Sequence, residues 1–255
     1  MIRGLLERVR AGEIGIEEAQ ESIIRLLYEQ GEDFLLDLHR HRRTGFPEVI
    51  YARGKSTDQV LRIVRSFLDS GGKTFVSLVD EEQEHAISEA FPQARILRAG
   101  SLMAISTSAG ECQQELGSVG VLTAGTADTP YAAECALMLE EIGARVIRAY
   151  DFGVSGLHRP FLGIRQTREA DVLVVFAGMD GILPTMVASL TDKPVIAVPT
   201  PVGYGFGGSG ETALRAMLQS CVPGLLVMNI GNSIGAASAA ARILSSIRRR
   251  TDGQV

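Results

Sequence analysis

Apolar and polar positions follow two different rhythms along this chain. Up to about residue 70 the apolar residues recur every three or four positions. "IEEAQESIIRLL" has the spacing of an amphipathic helix. "STDQVLRIVRSFLDSGG" predicts a second helix, opened by a capping residue and closed by glycines. "EVIYA", "TFVSLV" and "ARILRAG" then read as strands, with "EEQEHAISEAF" as a helix before the last of them. Residues 1–115 therefore read as a smaller N-terminal α+β domain, and "SAGECQQELG" as the linker that ends it.

From residue 116 to 255 the pattern changes. "SVGVLTAG", "ARVIRAY", "ADVLVVFAG", "KPVIAVP" and "GLLVMNI" are short apolar runs rich in branched residues. Helical segments such as "PYAAECALMLEEIG" and "ILPTMVASLT" alternate with them. Such alternation predicts an α/β fold, a parallel sheet with helices on both faces. Ligands of these sheets bind beyond the carboxyl ends of the strands. The stretches falling there are "TAGTADTP", "YDFGVSGLHRP", "AGMDGILP", "PTPVGYGFGGSG" and "NIGNSIGAA". The conspicuous glycines and polar residues of this half thus converge on one rim.

Composition narrows the field. The 255 residues carry a net charge of −5, which speaks against a broad nucleic-acid-binding face but leaves room for a local basic pocket. Three cysteines at scattered spacing do not make a disulfide framework. The charged, amphipathic start has no secretory apolar core, and no run approaches the roughly 18 residues of a membrane span. The expectation is a cytoplasmic protein with no nucleic-acid or membrane partner.

Each candidate site has a plainer structural reading beside it. In "GTADTP", Gly125, Thr126 and Asp128 stand where a strand hands over to a helix; they can hold a phosphate or merely cap the helix. In "GLHRP", Arg159 suits a phosphate or carboxylate and His158 can move protons near neutral pH; otherwise the two form a solvated loop pair. In "AGMDGILP", Asp180 can act as a general base or cap the next helix, among Gly178, Met179 and Gly181. The glycines of "PTPVGYGFGGSG" make a lid or a mobile loop. "NIGNSIGAA" offers Asn229 and Asn232 to a ligand, or forms a tight turn. "RRTGFPEVIYARGKS" gathers Arg43 and Lys55 with other cations, either as a solvated face or as an anion-binding segment. Cys221, in "LQSCVPG", lies just ahead of the last strand, in a segment able to approach the ligand rim; its plainer reading is a small, inert core thiol. The small residues of "IGAASAAARILSSI" fit an interface helix or one packed inside a subunit.

Taken together, "RTGFPEVIYARGKS", "TAGTADTPYAAECA", "GVSGLHR", "AGMDGILPTMVASL", "PVIAVPTPVGYG" and "SCVPGLLVMNIGNSIGAA" resemble the LarB family. The second half is similar to PurE, the aminoimidazole ribonucleotide carboxylase/mutase, which shares the HR pair and the final glycine–asparagine turn. The first-half block favours LarB. The resemblance implies a PurE-like three-layer fold for residues 116–255 and a synthase acting in nickel-pincer cofactor biosynthesis for lactate racemase-type enzymes. Such an enzyme carboxylates the pyridinium ring of nicotinic acid adenine dinucleotide at C5 with CO2 or bicarbonate. It also hydrolyses the phosphoanhydride with a divalent metal, usually Mg2+, giving pyridinium-3,5-biscarboxylic acid mononucleotide and AMP. No tightly bound organic cofactor is implied, a homo-oligomer is, and the metal ligands stay unassigned.

The resemblance also distributes roles. Cys221 matches the family's nucleophilic cysteine, while Cys112 (in the linker) and Cys135 (mid-helix) read as structural. Asp180 would be the base, at a position where the family commonly has glutamate. His158 and Arg159 would hold an anion or relay a proton. Thr126 and Asp128 would grip ribose or phosphate, with Gly125, Gly178, Met179, Gly181, Asn229 and Asn232 lining the substrate. Arg43 and Lys55 would bring the first domain to the adenylate or diphosphate. The alternatives are a PurE-type carboxylase/mutase and a non-catalytic pyridine-nucleotide-binding protein.

Overall fold

The computed structural model describes residues 2–27, 29–30, 35–37, 40–107 and 116–251. The linker "SAGECQQELG" lies almost entirely outside these residues, and Cys112 lies wholly outside them. By its contacts the chain divides into two compact units, Met1–Ile96 with Ile105–Ala109, and Leu97–Ala104 with Gly110–Val255.

The N-terminal region begins with α1 (Ile2–Arg10) and α2 (Ile16–Leu27), followed by a short pair, β1 (Glu29–Gln30) and β2 (Leu35–Leu36), and by α3 (Arg40–Thr44). Then come β3 (Val49–Tyr51), α4 (Thr57–Gly71), β4 (Lys73–Ser77), α5 (Glu81–Ala90), β5 (Arg95–Ala99) and β6 (Leu102–Ser106). The last four strands form a sheet in the order β3-β4-β6-β5, with β3 and β4 parallel. α4 starts and stops where its residues dictate. Ser56 and Gln59 form a reciprocal capping box, and Gly72 ends the helix in the left-handed conformation at φ 68°, which costs glycine nothing. β6, "LMAIS", was not foreseen as a strand. Every one of its residues is buried, so it has no alternation to announce it.

The second unit contains β7 (Gly117–Thr123), α6 (Thr129–Glu141), β8 (Ala144–Ala149), α7 (His158–Gln166), β9 (Val172–Ala177), α8 (Ile182–Ala188), β10 (Val195–Pro199), α9 (Glu211–Leu218), β11 (Leu225–Val227) and α10 (Ser233–Thr251). Its five strands form an all-parallel sheet ordered β11-β10-β9-β7-β8. α6 and α10 pack on one face, and α7, α8 and α9 on the other. Burial on both faces explains why β9 and β10 are apolar at every position. Along β9, Leu173, Val175 and Ala177 join Leu183, Val187, Ala213 and Met217 in one core cluster. Of the two readings of the small-residue tail, the structure shows the internal one: Ala236, Ala237, Ala240 and Ala241 are fully buried. His158 is the first residue of α7, not part of a loop. No helix among the described residues is long and apolar enough to cross a membrane.

Candidate active site

At the carboxyl edge of the five-stranded sheet, Asp128 ties three strand exits together. It is only 3% exposed. Its Oδ2 accepts from the Gly125 amide at 2.8 Å, and its Oδ1 accepts from the Gly178 amide at 3.0 Å and from the Thr200 hydroxyl. These donors follow β7, β9 and β10 respectively. Burial pushes the carboxyl above its ordinary range, opposed by the hydrogen bonds from Thr200, Gly125 and Gly178. The described bonds of Asp128 are thus to the chain itself, while Thr126 beside it is exposed.

The turn after β9 carries Asp180. Gly178 admits no side chain, since a Cβ there would stand 2.2 Å from the Val202 carbonyl oxygen. Met179 and Gly181 adopt left-handed φ of 52° and 70°, and the Met179 amide donates to Val202 O at 2.6 Å. This tight path leaves the Asp180 carboxylate exposed, with its Oδ1 accepting from the Ile182 amide at 3.2 Å. The carboxylate thus takes one bond from the first amide of α8 and otherwise faces solvent. From Val202 the chain continues into the glycine loop, where Tyr204 is 80% exposed and Phe206 fully so.

After β8, Asp151 sits at φ 68°, its amide donating to Thr123 Oγ1 at 2.8 Å. Its carboxylate pairs with Arg159 Nη2 at 2.6 Å. Arg159 also donates to the Asp151 carbonyl and to Ser155 Oγ at 3.3 Å. The guanidinium is thus held in one orientation from the turn before α7, and His158 is exposed next to it in sequence. Beyond β11, Asn232 caps α10: its Oδ1 accepts from Gly235 N at 2.8 Å and its carbonyl from Ala236 N. Asn229 Oδ1 accepts from its neighbour Ile230 N. Gly231 N donates to Pro199 O, which holds this turn against the β10 exit. The Ser233 hydroxyl there is buried without a partner.

The carboxyl edge therefore brings together Gly125, Thr126, Asp128, His158, Arg159, Gly178, Met179, Asp180, Gly181, Asn229 and Asn232. It does not include Cys221. β11 is in register with β10 so that Leu225 lies beside Val195, at the amino edge of the sheet, and Cys221 precedes Leu225 in the connection from α9. The thiol is exposed. Ser220 before it accepts from the Thr185 hydroxyl at 3.0 Å and from the Val222 amide, which fixes the loop on the flank of α8. Being just ahead of a strand is a different place from the rim, because parallel strands all exit on one side. Cys135 is fully buried, and burial pushes its thiol far above the ordinary range, as suits a packing residue.

Arg43 and Lys55 belong to the first unit. Arg43 pairs with Asp37, and Lys55 Nζ donates to the Tyr51 carbonyl at 2.7 Å. Sequence reading passed over Asp151 and Thr200; their one signal was a polar side chain directly after an apolar run.

Comparison with known proteins places this geometry. Residues 28–107 match the LarB/PurE-like N-terminal domain, and residues 118–255 match AIR carboxylase. An uncharacterized protein of Methanocaldococcus jannaschii is 36% identical over 245 residues, covering 92% of this chain and 93% of that one. The chain belongs to the LarB family. Its PurE-like half is 31% identical over 133 residues to the N5-carboxyaminoimidazole ribonucleotide mutase of Aquifex aeolicus, across 50% of this chain and 76% of that enzyme. The corresponding mutase of Methanocaldococcus jannaschii is 34% identical over 114 residues, 44% of this chain and 67% of the enzyme. This LarB-family chain thus carries a PurE-related carboxylase/mutase fold with its conspicuous polar residues at the rim where such sheets take ligands.

Proposed function

We propose that this protein carboxylates the pyridinium ring of nicotinic acid adenine dinucleotide at C5 and cleaves its phosphoanhydride. The products are pyridinium-3,5-biscarboxylic acid mononucleotide and AMP, for nickel-pincer cofactor biosynthesis. The observation that carries the reading is the exposed Asp180 carboxylate on the strained turn after β9, in a chain that pairs the LarB N-terminal domain with the PurE-like one.

A pyridinium C5 is electron-poor and does not attack CO2. Addition of the Cys221 thiolate at C4 forms a C–S bond and moves an electron pair onto the ring nitrogen, giving a dihydropyridine. C5 is then the nucleophilic carbon of an enamine and forms a C–C bond to CO2, leaving an iminium at C6. Asp180 takes the C5 proton, and the C4–S bond breaks to return the thiolate and the aromatic ring. Covalent catalysis of this kind divides one inaccessible step into several accessible ones. Arg159, oriented by Asp151, would hold a carboxylate or phosphate, and His158 would assist in anion binding or proton transfer. Thr126, Asn229 and Asn232 would line the nucleotide, with Asp128 holding the rim in shape. Arg43 and Lys55 would bind the adenylate or diphosphate from the first unit.

Among the described residues no three His, Cys, Asp or Glu side chains cluster as a metal cage. Mg2+ commonly uses one or two carboxylates and the phosphates of its substrate, so it would arrive with the dinucleotide. The test is incubation with the dinucleotide, bicarbonate and Mg2+. AMP and the doubly carboxylated mononucleotide are expected by mass spectrometry; neither forming in folded protein overturns the reading. The similarity to carboxyaminoimidazole ribonucleotide mutases favours one other reading, turnover of that purine intermediate, which the same assay with that substrate detects.

A further inference from the structure

The amino edge of the five-stranded sheet carries a groove that the chemistry at the carboxyl edge does not use. It lies between the last turns of α7 and α8 and the start of β9, with a volume of about 700 Å³, within the range of small-molecule sites. Leu173, buried in its lining, stands roughly 13 Å below Ala177, the last residue of β9, at about 3.3 Å per residue. An occupant of the groove therefore does not touch Asp180 or the turn that presents it.

The lining joins apolar surface to unpaired charge. Phe161, Ile164 and Arg165 share one face of α7. The turn that follows, where Arg168 N donates to Arg165 O, brings Arg168 to the same groove. Lys193, from the connection between α8 and β10, donates to the Arg168 and Ala170 carbonyls and so fixes that turn. Neither the Arg165 nor the Arg168 guanidinium has a side-chain partner among the described residues. The carboxylates next to them in sequence are committed elsewhere. Glu169 pairs with Arg145 at 3.3 Å, and Asp171 Oδ2 accepts from Ser118 N at 2.8 Å and from its hydroxyl at 2.7 Å. Two large apolar side chains, Phe161 (53% exposed) and Leu190 (44% exposed), stand in solvent beside these charges.

In a chain of net charge −5, Arg165, Arg168 and Lys193 here face one carboxylate, Asp192. The C-terminal ends of α7 and α8 add about half a negative charge each, which still leaves the groove positive. Two free guanidiniums on neighbouring turns suit the oxygens of a phosphate, and the exposed phenyl ring beside them suits the face of a flat ring. We infer that the groove binds a phosphomonoester with a flat aromatic body, the chemistry of a nucleoside monophosphate, at a site separate from the carboxyl edge. Such binding does not depend on the carboxylase reading.

AMP is the probe, titrated calorimetrically into the full chain at physiological salt. Saturable binding is expected, weakened about tenfold by Arg165→Ala and by Arg168→Ala and weakened also by Phe161→Ala. All three side chains are exposed, so these variants should stay folded. Arg145→Ala, whose guanidinium is paired outside the groove, should bind as the native chain does; an equal loss there means a diffuse positive field and overturns the inference. Inorganic phosphate and adenosine, each matching one half of the groove, should bind about tenfold more weakly than AMP, and phosphate binding as well as AMP overturns the aromatic half. AMP held at the rim, as a product would be, is lost in Arg159→Ala and kept in Arg165→Ala and Arg168→Ala. That pattern, or no saturable binding, overturns the groove site and leaves the carboxylase reading standing. Groove binding in a chain that makes no carboxylated product overturns that reading alone.

Discussion

Asp128 Oδ1 accepts the Gly178 amide at 3.0 Å, so a side chain placed after the first strand of the parallel sheet fixes the backbone that presents Asp180. The same carboxylate holds Gly125 N and the Thr200 hydroxyl. The rim is thus one hydrogen-bonded body, not a set of independent loops. Asp128→Ala would leave these donors without their buried acceptor, at a cost of about 2–4 kcal/mol. Chemical denaturation should show that loss, and carboxylation should fall with it because the Gly178 turn is released.

The raised pKa of Asp128 has a sign that can be checked. Its cause is burial, so the folded protein holds this proton more tightly than the unfolded chain does. The contribution to stability is therefore greatest below the ordinary carboxylate pKa. It declines as pH rises toward the elevated folded value and is constant above that. Thermal unfolding followed from acid to neutral pH should carry this declining component in the native protein and lack it in Asp128→Asn. A native-minus-variant difference independent of pH, or one growing toward neutrality, would contradict the assignment.

Much of this was legible because local rules and the global fold agree. Ser56, Gln59 and Gly72 bracket α4 where they stand in the sequence, and unbroken apolar runs announced β9 and β10. Other features were not legible. β6 has no alternation, and α7 contains Pro160 and Gly163, two poor helix formers. The level of Cys221 depends on the register of β11 against β10, which is set by pairing across the sheet and leaves no local trace. The rim residues could be gathered from sequence because every strand exit is marked by glycine or a polar side chain. Asp151 was missed because its role appears only when the chain brings Arg159 back to it.

That pair makes its own prediction. Asp151→Ala removes the carboxylate that orients Arg159 but not the guanidinium itself. Binding of an anionic substrate should weaken by about tenfold, or about 1.4 kcal/mol, read as a raised KM with little change in kcat. Arg159→Ala, which removes the charge as well, should weaken it further. Equal effects of the two variants would mean that Asp151 does more than position its partner.

Gly178 tests how closely the rim is built. A methyl group there would lie 2.2 Å from Val202 O and 2.8 Å from Thr200 Oγ1, and the first contact is backbone that cannot rotate away. Gly178→Ala should cost about 1–3 kcal/mol and displace the Asp180 turn, so kcat should fall out of proportion to stability at a temperature where the variant is fully folded. Gly4→Ala, in α1, is the control for an added methyl group alone: it has nothing within 4 Å and no positive φ.

Asp180 and Cys221 are both exposed, so substitutions at either should leave the unfolding midpoint nearly unchanged, within about 0.5 kcal/mol. Their chemical consequences differ. Asp180→Asn keeps the Oδ1 that accepts Ile182 N but loses the base, and carboxylation should drop by about 10²–10⁴, with Asp180→Glu recovering part of the loss because it restores a carboxylate. Cys221→Ser replaces the thiolate with a hydroxyl that is scarcely ionised near neutral pH, so no adduct absorbing as a dihydropyridine should form on mixing with the dinucleotide. In Asp180→Asn that adduct should form and persist, because addition precedes proton removal. Stopped-flow spectra of the two variants separate the steps, and a Cys221→Ser chain that still carboxylates would require a different nucleophile.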